Sequence, residues 1–421
     1  MAVTATAVPG TQSTPASAPG VVAFTGGRVF VQPGSRNAIP SGVIIVKDGK
    51  VLNVGPSGTV TIPAGARVVD VSGKTIIPGL IAAHAHVSDV QGVGPRAYTD
   101  ENTLRQLGVF ARYGVTTVWS LGGEQAPAFR ARDTQATSSL DRARLFVAGE
   151  VITGRTPDEA RSRVAAVAAM KPDIIKIRVD DNLGAATKMT PDVYRAVIDE
   201  AHRRNLRVAA HLYYLDDAKD LLKAGVDMIA HSVRDKDVDD ELIALLKARN
   251  VPYCPTLTRE LSTFVYESAP AFFNDPFFQR EADKELVAQL LTPAKQEAMR
   301  ASQTAQTYKA ALAVAKRNLK RLSDAGVLIA MGTDSGAFPE RFEGYFEHVE
   351  LEMMAEAGMT PVQILKSATV DAAAAMKQTD TGRLVPGMWA DFVVLDRDPL
   401  QDIRNTRSIS SVWIAGNQVK R

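Results

Sequence analysis

Between Val21 and Val71 apolar and polar residues alternate over short runs broken by turn residues, the pattern of half-buried strands. Val22–Phe24, Arg28–Val31, Gly42–Lys47, Lys50–Val54 and Arg67–Asp70 are predicted strands, with Asp48-Gly49 as a hairpin turn. At Thr75-Ile-Ile-Pro-Gly-Leu-Ile81 the texture changes to short apolar runs separated by helix-like stretches. Eight such runs follow in series: Leu80–His84, Thr116–Ser120, Leu145–Gly149, Ile174–Arg178, Arg207–His211, Met228–His231, Val251–Thr256 and Val327–Thr333. Between them, Thr190-Pro191 places a cap and a first-turn proline before a helix over Asp192–Arg204. Asp216–Ala224 is a second helix, stopped by Gly225. Eight apolar strands with helical crossovers predict an α/β fold, a (β/α)8 TIM barrel, although the pattern alone also admits an open doubly wound sheet.

From Gly382 the chain returns to short strands, Phe392–Leu395 and Ser410–Ile414, with Gly416-Asn417 as a turn. The predicted division is a disordered tail over 1–20, a composite β-sandwich from 21–74 and 382–421, and the barrel over 75–381. The stretch from Glu260 to Arg321 is long and helical, with Phe264, Tyr266, Phe272, Phe273, Phe277 and Phe278 clustered early. Those aromatics either pack a helical subdomain or serve function, by roofing the site or by forming a subunit contact.

Composition narrows the classes. A chain of 421 residues with 45% hydrophobic and 23% charged residues is ordinary for a globular enzyme. The net charge of +2 and the lack of a basic run give no reason to expect nucleic acid or an anionic membrane as partner. No apolar run approaches the ~18–20 residues that span a bilayer. The single cysteine, Cys254, excludes an internal disulfide and any cysteine metal cluster; it reads as inert core. The first twenty residues are rich in Ala, Thr, Ser, Pro and Gly and lack the charged start and apolar centre of a signal peptide. They fit either a flexible cytoplasmic terminus or the remnant left after an export signal is removed, so the compartment stays open.

In a parallel barrel the carboxyl ends of the strands form one rim, where active sites sit. The first run ends in His84-Ala85-His86, two imidazoles that period two aims the same way. Lys176 lies on the fourth run, His211 and His231 close the fifth and sixth, and Asp334 follows the eighth. Of the six histidines, four fall on this rim. Lys176 interrupts an otherwise apolar strand, Ile174-Ile175-Lys176-Ile177, where a buried ammonium is expensive; the plainer reading pairs it with Asp180 or Asp181. Arg178 and Tyr213 stand two residues after Lys176 and His211, so both are expected at the mouth, where a guanidinium suits a substrate carboxylate. Ser88 is expected to line the pocket, and Gly122-Gly123 to let substrate approach the backbone. His348 is either structural or substrate-facing. His202 reads as a surface or cap residue.

Taken together, Thr75-Ile-Ile-Pro-Gly-Leu-Ile-Ala-Ala-His-Ala-His86, Lys176, His211, His231 and Gly332-Thr-Asp334 resemble the amidohydrolase superfamily. The closing stretch Gly382-Arg-Leu-Val-Pro-Gly-Met-Trp-Ala-Asp-Phe-Val-Val-Leu395 and Asp398-Pro399-Leu400 is similar to the C-terminal signature of that family. Within it the chain looks most like the prolidase-like and imidazolonepropionase-related branch, and like bacterial amidohydrolases that split ochratoxin A. The resemblance implies two divalent metal ions, with zinc suited to a nitrogen-rich hydrolytic site. His84, His86 and Asp334 would hold the first, His211 and His231 the second, and Lys176 would bridge both as an N-carboxylated lysine. Asp334 would act as general base and then general acid. The implied substrate is an amide or dipeptide that releases a C-terminal aromatic amino acid, and the implied assembly is a homo-oligomer such as an octamer. A mononuclear deaminase or imidazolonepropionase-type hydrolase is the alternative; relatives of that kind lack the lysine and carry a Glu after the fifth-strand His, where this chain has Leu212-Tyr213-Tyr214-Leu215. A non-catalytic structural relative is an alternative of another class, but such relatives lose ligands that this chain keeps.

Overall fold

In the computed structural model, residues 20–34 and 37–420 are described; the tail expected over 1–20 lies, except for Gly20, outside them. The two ends of the chain join in one eight-stranded sheet. Val21–Val29 pairs antiparallel with Ile39–Lys47, which continues through Asp48-Gly49 into Lys50–Pro56. Both turn residues take positive φ, 50° and 79°, as a two-residue hairpin loop requires. Thr75–Pro78, expected at the start of the barrel, belongs instead to this sheet. It lies parallel to Val21–Val29 on one side and antiparallel to Phe392–Leu395 on the other. Phe24, Phe392 and Trp413 form its aromatic core, with edge contacts of 4.8 and 4.6 Å between Phe24 and the other two rings.

The rest of the chain winds through parallel segments in chain order. Leu80–Ala85 pairs with Val115–Ser120, and that with Arg144–Val147. A bridge between Ile152 and Ile177 leads to Ile175–Arg178, followed by Val208–His211 and Met228–Ile229. Parallel bridges from Ile229 to Tyr253 and from Tyr253 to Ile329 carry the order on. The Ala83 N–H then donates to the Met331 carbonyl at 2.7 Å, which returns the eighth segment to the first. This is the arrangement of a TIM-barrel-type domain; an open sheet would leave that bond unmade.

The seventh and eighth segments are shorter than their apolar runs predict. Pro252 and Pro255 flank Tyr253-Cys254 and have no N–H to give a ladder, so the pairing there is reduced to one bridge to each neighbouring segment, both through Tyr253. The eighth segment must pass close to the first, and Gly332 makes room. A β-carbon at 332 would lie 2.7 Å from the His84 nitrogen and 2.5 Å from Cys254 Sγ.

The helices follow the sequence signals closely. Pro191–Arg203 begins on its proline, and Leu215–Ala224 ends on Gly225 in the left-handed conformation. The aromatic residues near the start of the insert are a packing cluster. Phe278 lies 4.8 Å from Phe342 and 5.0 Å from Tyr345, and Phe277 lies 5.0 Å from Tyr113. None of them lines the large cavity described below. Sheet and barrel are joined through Arg144, whose Nε donates to Asp391 at 2.6 Å while its guanidinium lies 3.9 Å from the Trp389 ring centroid. No helix among the described residues is long and apolar enough to cross a membrane.

Candidate metal centre and active site

At the carboxyl end of the ring a cavity of about 520 Å³ is lined by His84, His86, Lys176, His211, His231 and Asp334, among others. Six residues spread over 251 positions of sequence therefore meet because His84 and Lys176 lie within ring segments, His211 ends one, and His86, His231 and Asp334 follow theirs within a few residues.

His84 and His86 both turn Nε2 toward one oxygen of Asp334, at 3.2 and 2.8 Å. The His86 Nδ1 lies 3.0 Å from the Gly122 carbonyl, which can only accept, so the proton sits on Nδ1. Two lone pairs, one on nitrogen and one on oxygen, then face each other at 2.8 Å with no hydrogen to share. A proton or a cation must lie between them. His231 repeats the pattern. Its Nδ1 reaches Thr256 Oγ1 at 2.7 Å, and its Nε2 is buried without a hydrogen-bond partner. His84, His231 and Asp334 offer ligand atoms within 4.8 Å of one another. The rings of His211 and His84 flank that of His231 at 4.1 and 4.6 Å.

Burial sets the charge states. It pushes His84 and His231 well below the usual imidazole range, aided by Lys176 at His84 and by the neighbouring imidazoles at His231. His211 is pushed down to about 4, chiefly by burial and against its bond to Asp180. Neutral imidazoles are what a cation needs. Lys176 is 2% exposed, with Nζ 3.3 Å from His84 Nε2. Burial brings its amine down to about 8, against the pull of Asp334. At Asp334 burial works the other way, but the Arg341 guanidinium and the two imidazoles outweigh it and hold the carboxyl well below its usual range. Asp334 also adopts φ 64°, a left-handed conformation uncommon for a non-glycine residue, while its N–H donates to the His84 carbonyl.

Three buried carboxylates hold the rim. Glu124 accepts from Ser120 Oγ and from the backbone of Gly122, Ala148 and Gly149, at 2.5–3.0 Å. It thereby fixes the Gly122 carbonyl on which His86 rests. Glu347 accepts from the Thr333 and Ser335 hydroxyls beside Asp334. Glu350 accepts from the Leu257 and Thr258 backbone and the Thr258 hydroxyl. Sequence reasoning passed over all three, along with Arg259 and Arg341, which line the cavity. The spacing of Glu347 and Glu350 on one helix was the available signal.

Other expected site residues divide. Arg178 lines the cavity, its Nε 3.4 Å from Asp180, whose second oxygen lies 3.0 Å from His211 Nε2. Ser88 lines it as well, but its hydroxyl donates to the Gly336 carbonyl at 2.7 Å and so ties two rim loops together. Gly122 and Gly123 form part of the wall. Tyr213 does not face the cavity. The strand ends at His211, alternation stops with it, and the ring packs 6.2 Å from Tyr308 beneath the Arg234 guanidinium. His348 does not face it either; it is fully buried, 2.7 Å from the Tyr113 carbonyl and 3.0 Å from Thr406 Oγ1. His202 pairs with Asp227 on a helix, away from the site.

Comparison with known proteins agrees with this geometry. Ochratoxinase of Aspergillus niger is 26% identical over 249 residues, which cover 57% of this chain and only 43% of that enzyme, so the match spans less than half the relative's length. Imidazolonepropionase of Streptomyces griseus is 24% identical over 427 residues, covering 92% of this chain and 96% of the relative. A crystal structure of a Xaa-Pro dipeptidase with bound methionine superposes with a TM-score of 0.76 at 20% identity, over 95% of this chain and all of that one. Residues 75–419 match the amidohydrolase family, and the chain belongs to it.

Proposed function

We propose that this chain is a binuclear metal-dependent amidohydrolase built on a (β/α)8 barrel, and that it cleaves the amide bond of an N-acyl amino acid or dipeptide. The observation that carries the proposal is the convergence of the His84 and His86 Nε2 atoms on one Asp334 oxygen, with the buried, unpartnered His231 Nε2 and Lys176 beside them. Its donor set fits zinc, which favours nitrogen ligands in redox-silent hydrolytic sites. His84, His86 and Asp334 would hold one ion, and His211 and His231 the other. Lys176, once carboxylated, would supply an anionic bridge in place of an ammonium. When bound, two divalent cations polarise the scissile carbonyl and make the attacking water more acidic.

Asp334 takes up the proton released by that attack and delivers it to the leaving nitrogen. Its contact with Arg341 holds one oxygen while the other faces His84 and His86, so a single carboxylate orients and moves the proton. Glu124 and Glu347 keep the backbone on either side of His86 and Asp334 in place. Arginines on the cavity wall support a substrate with a free carboxylate. The released residue is an aromatic amino acid, as in ochratoxin A, in keeping with the sequence resemblance.

The test is a screen of protein supplied with zinc and bicarbonate against N-acyl-Phe, Xaa-Phe, Xaa-Pro, Xaa-Arg and ochratoxin A. Release of phenylalanine, lost in Asp334→Asn, is the expected result. Ammonia release from a ring amine, or no amide cleavage by fully metal-loaded protein, would overturn the proposal.

A further inference from the structure

Four arginines reach the cavity: Arg96, Arg178, Arg259 and Arg341. Three have a carboxylate close by. Arg96 lies 3.0 Å from Asp89, Arg178 lies 3.4 Å from Asp180, and Arg341 contacts Asp334. Arg259 is different because it shares its partner. Its Nη1 donates to Glu260 at 2.6 Å, and Arg234 Nε lies 3.0 Å from the same Glu260 oxygen. The side chains of Arg234, Glu260 and Arg259 are 0%, 0% and 7% exposed. Two guanidiniums against one carboxylate leave one positive charge out of water, which is costly until an anion arrives.

Only Arg259 can present that charge to a ligand. Arg234 does not line the cavity; it donates to the Leu212 and Ser232 carbonyls and stacks over Tyr213. Arg259 lines it and is held in a fixed orientation. Glu260 takes one end of the guanidinium, and the Tyr308 hydroxyl lies 3.3 Å from Nη2. Tyr308 Oη is in turn 3.2 Å from Asn182 Oδ1, on the same wall. Arg259 also lies close enough to His211 and Asp180 for its charge to act on both. A preorganised guanidinium beside a candidate hydrolytic centre is a receptor for a planar anion.

We propose that Arg259 is the specificity-determining residue that binds the free α-carboxylate of the substrate, so that amidated or esterified amino acids are rejected. This rests on the amidohydrolase reading above. It gives the insert a part in the site, since Glu260 and Tyr308 both come from it.

The test is calorimetric binding to the zinc-loaded protein. Its probes are N-methanesulfonyl-L-phenylalanine, whose sulfonamide resists hydrolysis, and the carboxamide of the same compound. Wild-type protein should prefer the carboxylate by roughly 10–100-fold, the range of a charge-assisted pair. Arg259→Met should erase that preference and Arg178→Met should leave most of it, with thermal melting to check folding. Arg259→Lys keeps the charge but not the paired donors, and should narrow the preference about tenfold; Tyr308→Phe should narrow it less. Unchanged discrimination in Arg259→Met or Arg259→Lys, or transfer of the whole loss to Arg178→Met, overturns the assignment. Because turnover is not the readout, an absence of amide cleavage would count against the proposed function and leave this result standing.

Discussion

Lys176 offers the sharpest quantitative test, because only a neutral amine adds to carbon dioxide. A solvent-exposed lysine at pH 7 is neutral in roughly one molecule in 3,000. Burial brings Lys176 down to about 8, so roughly one in ten is neutral at that pH, an advantage of about 300-fold. Carboxylation of metal-free protein, at fixed dissolved carbon dioxide, should therefore speed up about tenfold per pH unit below 8 and level off above it. ¹³C-labelled bicarbonate followed by NMR would report the carbamate carbon, with Lys176→Met as the blank. The same depression has a signed effect on folding. Between about 8 and the ordinary lysine value of 10.5 only the unfolded chain stays protonated, so the metal-free protein should gain stability as pH rises through that window. A carboxylation rate that keeps climbing tenfold per unit beyond pH 9 would refute the buried-amine argument, as would a labelled signal that survives in Lys176→Met.

Glu124→Gln should lower zinc affinity roughly 10–100-fold, since it loosens the Gly122 carbonyl that orients His86; competition with a chelating dye measures it. Arg144→Ala strands Asp391 in the seam between sheet and barrel, where both side chains are under 5% exposed. The expected cost is about 3–5 kcal/mol, read from denaturant unfolding. His348→Leu should destabilise by about 1–3 kcal/mol by leaving the Tyr113 carbonyl unpaired, with KM unchanged; a raised KM at unchanged stability would return His348 to the substrate.

Most ring segments were legible because each is a short apolar run that the sequence punctuates with helix caps and glycine stops. The seventh and eighth kept their positions but not their ladders, for reasons carried by Pro252 and Pro255 rather than by hydrophobicity. His84, His86, Lys176, His211, His231 and Asp334 were legible together because a strand terminus fixes where a side chain goes. That reasoning fails one step later. Tyr213 follows His211 by two residues, but Leu215 already opens a helix, so period two no longer applies. His348 drew attention as a rare residue type, whereas its neighbours Glu347 and Glu350 are the ones that brace the rim. Arg259 and Glu124 were illegible for a more general reason. Their roles depend on partners such as Arg234, Tyr308 and Gly149, brought close only by the completed fold.

The placement of Thr75–Pro78 has a consequence for biosynthesis. This strand is buried between one neighbour that precedes it and another, Phe392–Leu395, made more than 300 residues later. Throughout translation its second edge, Thr-Ile-Ile-Pro, stands open as an apolar template for foreign strands. Chains cut short before Phe392 should therefore aggregate rather than yield a soluble barrel, and nascent ones should depend on holding chaperones until the last sheet strands emerge.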